Sequence, residues 1–460
     1  MKRKINVRLW IMRFLRFDLE RFLTFGYISK HPHRQLVFGY LSYVVAGTLL
    51  LCLPFMTAEH VGVLDHLFSA TSAVSTTGLA TVDVSAVYTF WGKLVILLLI
   101  QLGGLGYMTI SSFVMLSLTR HFTIIKRGIL NAEFTMPGNI NVKNLVISVV
   151  GFTALFETLG IVLLYYQFRG YGIDEPMWAA VFHSISSFCT AGFSTFPDSL
   201  MQFKSDWGIN LVVMALSYAG AMGFIVMYDF WKKLTSRGYQ ITFTTKVIVV
   251  VTAVLTTLAT LQMFLFEESF ADYAWSDRLL FSLFQTVSAL TTVGFNTVNI
   301  GLLMPITLMS LTMIMYFGAS PSGTGGGLKT TTLSATVAFV QSKLGFHRNV
   351  TLCGRILPTY RVDTALATFV LYTTIVFLGS YVLTATEKFD YLSLLFESAS
   401  ALGTVGISTG ITPELSSAGK CVLIVLMYIG RVGVLTLGYS MLYRMKQRTK
   451  QIYKNDDLAV

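Results

Sequence analysis

Leu283-Phe284-Gln285-Thr286-Val287-Ser288-Ala289-Leu290-Thr291-Thr292-Val293-Gly294-Phe295-Asn296-Thr297 decides the fold, because its outline occurs three more times, at 67–81, 181–195 and 395–409. All four copies obey F-x-x-x-S-x-x-x-T-x-G-x-x-T, with Phe68, Phe182, Phe284 and Phe396 spaced by 114, 102 and 112 residues. An internal repeat of this regularity sets the architecture before any other signal does. Each copy opens with about ten moderately apolar residues, too few to cross a bilayer and suited to a re-entrant segment. If that segment is a helix entering from outside, its C-terminal partial negative charge points to the membrane centre and favours a cation. Thr-x-Gly follows, and glycine lets the backbone turn its carbonyls toward an axis. Non-helical backbone at membrane depth must be buried in protein or line a watery cavity. Four such strands around one axis form a ring of carbonyl oxygens that replaces an ion's hydration shell. The expected filter comprises Ser75, Thr76, Thr77, Gly78; Cys189, Thr190, Ala191, Gly192; Thr291, Thr292, Val293, Gly294; and Gly403, Thr404, Val405, Gly406.

Working outward, the 460 residues are 54% hydrophobic and 12% charged, where a soluble domain carries about 25% charged residues. Stretches at 37–58, 94–119, 144–168, 207–228, 247–266, 301–318, 364–386 and 421–443 are apolar enough to span. The expected class is an all-α integral membrane protein: eight transmembrane helices, as four helix–pore loop–helix repeats around one pore. The expected divisions are 1–36, a cytoplasmic amphipathic N-terminus whose 9–17 stretch suits an interfacial helix rather than a signal peptide; 37–119, repeat 1; 120–235, repeat 2; 236–345, repeat 3; 346–444, repeat 4; and 445–460, a cytoplasmic tail.

Eight spans put both termini on one side. Segments 1–36, 120–143, 229–246, 343–363 and 444–460 hold 26 Lys or Arg and 7 Asp or Glu, whereas the opposite loops hold 6 bases and 14 acids. The basic side is the inside. The net charge of +11 is therefore a topology signal rather than a nucleic-acid signal, and the acidic outer face attracts cations. Cys52, Cys189, Cys353 and Cys421 form no CxxC, and the seven histidines form no i, i+4 pair, so no zinc or haem site is expected.

The sixth span runs into Gly318-Ala319-Ser320-Pro321-Ser322-Gly323-Thr324-Gly325-Gly326-Gly327-Leu328-Lys329-Thr330, a Pro and Gly load no helix carries. From Gly323 it imitates a nucleotide-binding loop, but Leu328 stands where the last glycine belongs and a membrane helix, not a strand, precedes it. Two readings remain: a flexible gate beneath the filter, which is carried forward, or a passive unwound stretch. The expected gating set is Gly318, Ser320, Pro321, Ser322, Gly323, Thr324, Gly325, Gly326, Gly327, Lys329 and Arg431. No other span carries such an insertion, so the fourfold plan is expected to break at one place. Arg431, in the eighth span, is an intramembrane cation that needs a cavity or a partner. Helix-end carbonyls, Glu157 and Glu397 are candidate partners.

The filter glycines Gly78, Gly192, Gly294 and Gly406, the break at 318–327 and Arg431 together resemble the superfamily of potassium transporters that contains TrkH, KtrB and plant HKT proteins. Thr-Val-Gly-Phe and Thr-Val-Gly-Ile in copies three and four are also close to the Thr-Val-Gly-Tyr-Gly of potassium channels. The resemblance covers residues 37–444, and with only 36 residues before the first span it leans to KtrB-type (KtrB/KtrD) subunits. It implies K⁺ uptake across a bacterial plasma membrane, with Na⁺ a further candidate as activator. It also implies a homodimer with one pore per protomer, and a cytosolic KtrA-type ring of RCK subunits that carries the regulatory ATP or ADP. The alternatives are a Na⁺-coupled K⁺ symporter with alternating access and a membrane enzyme. The latter would need clustered catalytic groups, and Glu157 and Glu397 lie in unrelated segments.

Overall fold

The computed structural model describes residues 32–106 and 142–442. The interfacial stretch expected at 9–17, residues 107–119 of the second expected span and the tail at 445–460 lie outside the described residues. Where each long apolar run lacks a breaker, it forms one long helix: α1 (Pro32–Leu51), α4 (Val142–Gly170), α8 (Phe243–Phe266) and α12 (Thr359–Thr386). All four are long and apolar enough to cross a bilayer. Their outward faces carry Leu155, Leu159, Val254, Leu258, Leu261, Phe377 and Leu378 exposed, as a lipid-facing surface requires.

The four repeated motifs form short helices buried in the middle: α2 (Val63–Ser75), α5 (Pro176–Phe188), α9 (Trp275–Thr291) and α13 (Tyr391–Gly403). Each is followed by a further apolar helix: α3 (Phe90–Leu105), α6 (Trp207–Met222) with α7 (Phe224–Thr235), α10 (Pro305–Tyr316), and α14 (Ser417–Val432) with α15 (Val434–Leu442). Three of these helices start on a side-chain cap. Thr89 accepts from Gly92 N–H, Asp206 from Ile209 N–H and Ser416 from Gly419 N–H, whereas α10 starts on Pro305. α11 (Thr330–Leu344) resumes after the Gly-rich loop, and a small hairpin, β1 (Thr351–Leu352) and β2 (Arg355–Ile356), pairs Leu352 with Arg355.

Packing closes a ring. α3 packs on α5, α6 on α9, α10 on α13, and α14 returns to α2. At that last seam Lys420 pairs with Asp65 at 2.7 Å, and between α15 and α1 Arg34 Nε donates to the Ser440 carbonyl at 3.0 Å.

One expectation is corrected. The insertion is confined to one span, but the helical break is not. α3 ends at Gly106 (φ 83°), α6 at Gly223 (φ 87°) and α14 at Gly433 (φ 90°), each in a backbone region that glycine enters freely. The chain turns by 98° between α6 and α7 and by 90° between α14 and α15, so 207–228 and 421–443 are bent pairs rather than straight spans. α10 has 12 residues, about 18 Å at 1.5 Å per residue, too short to cross alone.

Candidate functional site

Each pore helix ends in the same turn. The motif threonine adopts a left-handed conformation: Thr76 (φ 53°), Thr190 (φ 53°), Thr292 (φ 61°) and Thr404 (φ 50°). A β-branched residue there is strained by about 1–3 kcal/mol, and two hydrogen bonds hold it. The threonine N–H donates to the carbonyl three residues back, and the next N–H reaches the motif serine: Thr77 to Ser72, Ala191 to Ser186, Val293 to Ser288 and Val405 to Ser400. This is a Schellman cap with threonine in glycine's usual place. The serine hydroxyl completes the turn. Ser72 and Ser400 accept from the N–H of Gly78 and Gly406, whereas Ser186 and Ser288 donate to the carbonyls of Phe193 and Phe295. Two of the motif's invariant positions, serine and threonine, thus shape the strand that follows.

Those strands meet around one axis. A β-carbon placed on Gly78 would lie 3.2 Å from the Cα of Gly192; one on Gly192, 3.1 Å from that of Gly294; one on Gly294, 3.1 Å from that of Gly406; and one on Gly406, 3.0 Å from that of Gly78. The circuit closes in chain order. All four glycines also have positive φ, between 67° and 95°, so a side chain there fails on both space and conformation. The residues ahead of the threonines face elsewhere. The Cys189 thiol points back to Gln101 (3.5 Å) and Glu157 (3.8 Å), and the Thr291 hydroxyl donates to the Val287 carbonyl. Ser75 bonds Thr77 at 2.6 Å, and Gly403 has no side chain. These four can meet the axis only through their backbone.

The Gly-rich loop lies directly beneath. Thr324 Oγ1 is 3.1 Å from Thr190 Oγ1, and Thr76 Oγ1 donates to the Thr324 carbonyl. Gly325 abuts the Thr292 hydroxyl, and Gly326 abuts that of Thr404. Three consecutive residues therefore sit under the four motif threonines. The loop also rests on the end of α6, where Ser320 N–H and Thr324 N–H donate to the carbonyls of Ala221 and Gly220. The Ser322 carbonyl accepts from Phe224 N–H at the start of α7. Gly318 packs on Gly327, Gly323 packs on Ala221, and Pro321 lines the cavity below.

Two cations hold this loop. Lys329 Nζ donates to the carbonyls of Gly325 (2.7 Å) and Gly326 (3.2 Å). The Arg431 guanidinium donates to Thr76 Oγ1 (3.0 Å) and to the carbonyls of Thr324 and Gly103. Neither carboxylate suggested by the sequence bonds Arg431. Glu157 accepts from Gln101, and Glu397 from Ser408, Thr409 and Thr412. The intramembrane arginine is instead satisfied by backbone and hydroxyl oxygens, including a helix-end carbonyl.

The loop separates two cavities. One, the outer cavity of the expected topology, about 410 Å³, is lined by the four motif glycines with Asp83, Asn296 and Ser408. The other, the inner cavity of that topology, about 280 Å³, is lined by Pro321, Gly325, Lys329, Tyr372 and Arg431. Between them the buried hydroxyls of Thr292 and Thr404 have no protein partner, which suits oxygens that face a desolvated cation or water. Among the described residues no group of three or more His, Cys, Asp or Glu is placed to hold a metal.

Sequence reasoning missed the G-x-x-G element ahead of three breaks. A β-carbon on Gly103, Gly220 or Gly430 would collide with the carbonyl oxygen of Val74, Phe188 or Leu402 near the pore-helix ends. Gly103–Gly106, 220–223 and 430–433 carried that signal in plain spacing.

A family model described as a cation transport protein, TrkH, matches residues 41–449. The Ktr system potassium uptake protein B of Bacillus subtilis is 34% identical, covering 92% of this chain and 95% of its own. The potassium/sodium uptake protein NtpJ of Enterococcus hirae is 32% identical, covering 93% and 96%. The crystal structure of the potassium transporter TrkH from Vibrio parahaemolyticus superposes with a TM-score of 0.69 at 22% identity, covering 87% of this chain and 82% of that one, and so shares the fold. With the family model spanning nearly the whole sequence, and two relatives above 30% identity aligned over nine-tenths of it, the chain belongs to the TrkH family of cation transport proteins.

Proposed function

We infer that this chain takes up potassium across a bacterial plasma membrane through a channel-like pore, with eight transmembrane helices arranged as four helix–pore loop–helix repeats and both termini in the cytoplasm. The observation that carries this reading is the closed circuit of Gly78, Gly192, Gly294 and Gly406. A ring of backbone carbonyls at that level provides the ligand field K⁺ needs when it sheds water. The loop at 318–327 is the gate: its residues 324–326 lie under the filter threonines, and Lys329 and Arg431 occupy carbonyls that would otherwise be free to face the pore. Opening requires the loop to leave, which exposes the inner cavity to the filter.

The resemblance to KtrB-type subunits supports a homodimer with one pore per protomer, regulated by a KtrA-type RCK ring that binds ATP or ADP at the basic inner face. Na⁺ acts in this reading as an activator. A second reading, Na⁺-coupled K⁺ symport, is favoured by one observation, the potassium/sodium name of the 32% identical NtpJ.

Growth and K⁺ uptake of a transport-deficient host expressing the chain, with and without an RCK ring, test the assignment. No uptake in either condition, with normal membrane expression, would overturn it. Flux at varied Na⁺ separates the two readings, since a fixed Na⁺:K⁺ ratio without channel-like conductance selects symport.

A further inference from the structure

The residue after each motif phenylalanine is variable in sequence yet always fully buried: Ser69, His183, Gln285 and Glu397. It sits behind the strand that leaves the filter, and the four copies treat that strand very differently. In repeat 4, Glu397 Oε1 accepts from Ser408 Oγ (2.7 Å), Thr409 N–H (3.0 Å) and Thr409 Oγ1 (3.3 Å), and its Oε2 accepts from Thr412 Oγ1 (2.8 Å). In repeat 3, Gln285 Nε2 donates to Thr297 Oγ1 at 3.1 Å. In repeat 2, the Ala179 carbonyl fixes the His183 proton on Nδ1 (2.8 Å), which leaves Nε2 to accept from the Ser194 hydroxyl at 2.9 Å. In repeat 1, Ser69 makes no hydrogen bond to its strand.

We propose that this layer fixes the width of the filter's outer mouth and that Glu397 is its principal positioning residue, setting discrimination between K⁺ and the smaller Na⁺. The proposal rests on the potassium-pore reading above. The geometry is direct. Ser408 and Thr412 line the outer cavity together with Gly406, so the atoms Glu397 holds continue into the wall the ion passes. Only an acceptor-only side chain takes all four of these donors at once. A strand with four additional bonds behind it cannot draw in around a smaller ion as a strand without them can, and the carbonyl ring is as rigid as its backing allows. The asymmetry also assigns an order. Every repeat has its motif-serine bond, so the difference lies in this layer: it adds four bonds in repeat 4, one each in repeats 2 and 3, and none in repeat 1, which is the side left to adjust.

The test is the Na⁺-to-K⁺ permeability ratio from reversal potentials in proteoliposomes, read beside the melting temperature of each purified variant. Glu397→Ala should raise the ratio roughly fivefold, the scale of losing one net hydrogen bond. Glu397→Gln, which keeps Oε1 and its three donors, should restore most of the parent ratio. Thr412→Val removes the Oε2 partner and the 3.0 Å contact with Ser408 Oγ but leaves the three donors to Oε1, and should raise the ratio less than Glu397→Ala does. It also decides the matter if Glu397→Ala does not fold. An unchanged ratio in both Glu397→Ala and Thr412→Val, whatever their melting temperatures, would show a merely structural carboxylate and overturn the proposal. A parent protein that passes no K⁺ would instead bring down the underlying transport reading.

Discussion

A side chain at Gly78 would meet the Ala191 carbonyl oxygen at 2.5 Å while held at φ +95°. Gly78→Ser therefore pushes one carbonyl of repeat 2 outward and strains its own backbone by about 1–3 kcal/mol. The expected outcome is a severalfold rise in Na⁺ permeation relative to K⁺, read from reversal potentials. An unchanged ratio would mean that the first repeat does not shape the ion path. Lys329 makes a second case. It stands at the N-cap of α11, where the helix's partial positive charge disfavours a cation, and the carbonyls of Gly325 and Gly326 offset that cost. Each charge-assisted bond contributes about 1.5–3 kcal/mol, so Lys329→Met should raise unstimulated K⁺ flux by roughly tenfold or more through release of the closed loop, with Lys329→Arg in between. Flux at or below the parent level, with equal protein in the membrane, would contradict a latch.

At the scale of elements, the loop 318–327 leaves and rejoins the fold at one point, since Leu328 N–H donates to the Tyr316 carbonyl at 3.2 Å. An excursion whose ends already touch can be shortened at little cost in loop entropy. Deletion of 321–327 should therefore fold and raise K⁺ flux above the parent, and equal or lower flux at matched expression would assign the loop a passive role. This element was legible in the sequence because ten residues of Gly, Ser, Thr, Ala and Pro interrupt an apolar run. The pore helices were legible because the motif serine and threonine must recur wherever the same turn recurs. Gly106, Gly223 and Gly433 went unread, because one glycine in an apolar helix costs only about 1 kcal/mol and does not by itself signal a break, whereas the repeated G-x-x-G spacing does. Each helix end appears only when the pore-helix carbonyl of Val74, Phe188 or Leu402 presses on the glycine three residues earlier, and the chain bends sharply after Gly223 and Gly433. Ser69, His183, Gln285 and Glu397 were not legible as one layer, although Glu397 stood out as an intramembrane acid, because the four side chains differ in chemistry and a motif search registers only identities.

The whole molecule carries one further test, of its orientation in the membrane. Charge puts +19 on one side and −8 on the other when the segments are summed from the sequence, and the filter belongs to the acidic side by the positive-inside rule. The β1–β2 hairpin provides a marker for the opposite side. Its two-residue turn, Cys353 (φ 49°) and Gly354 (φ 75°), has the two positive φ values that tight hairpins favour. The turn leaves Cys353 exposed at the tip, amid Lys343, Arg348, Arg355 and Arg361. Cys52, also exposed, lies just past the other end of α1, toward the filter side. Cys189 is buried, so variants with a single exposed thiol need only Cys421→Ser with either Cys52→Ser or Cys353→Ser. A membrane-impermeant maleimide should then label Cys52 in intact cells and Cys353 only in inverted vesicles. The reverse pattern would turn the filter to the cytoplasm, place the loop gate on the outside, and leave the basic face unable to meet a cytosolic partner. Labelling of both thiols in intact cells would contradict the odd number of crossings, five in the four-repeat plan, expected between Cys52 and Cys353.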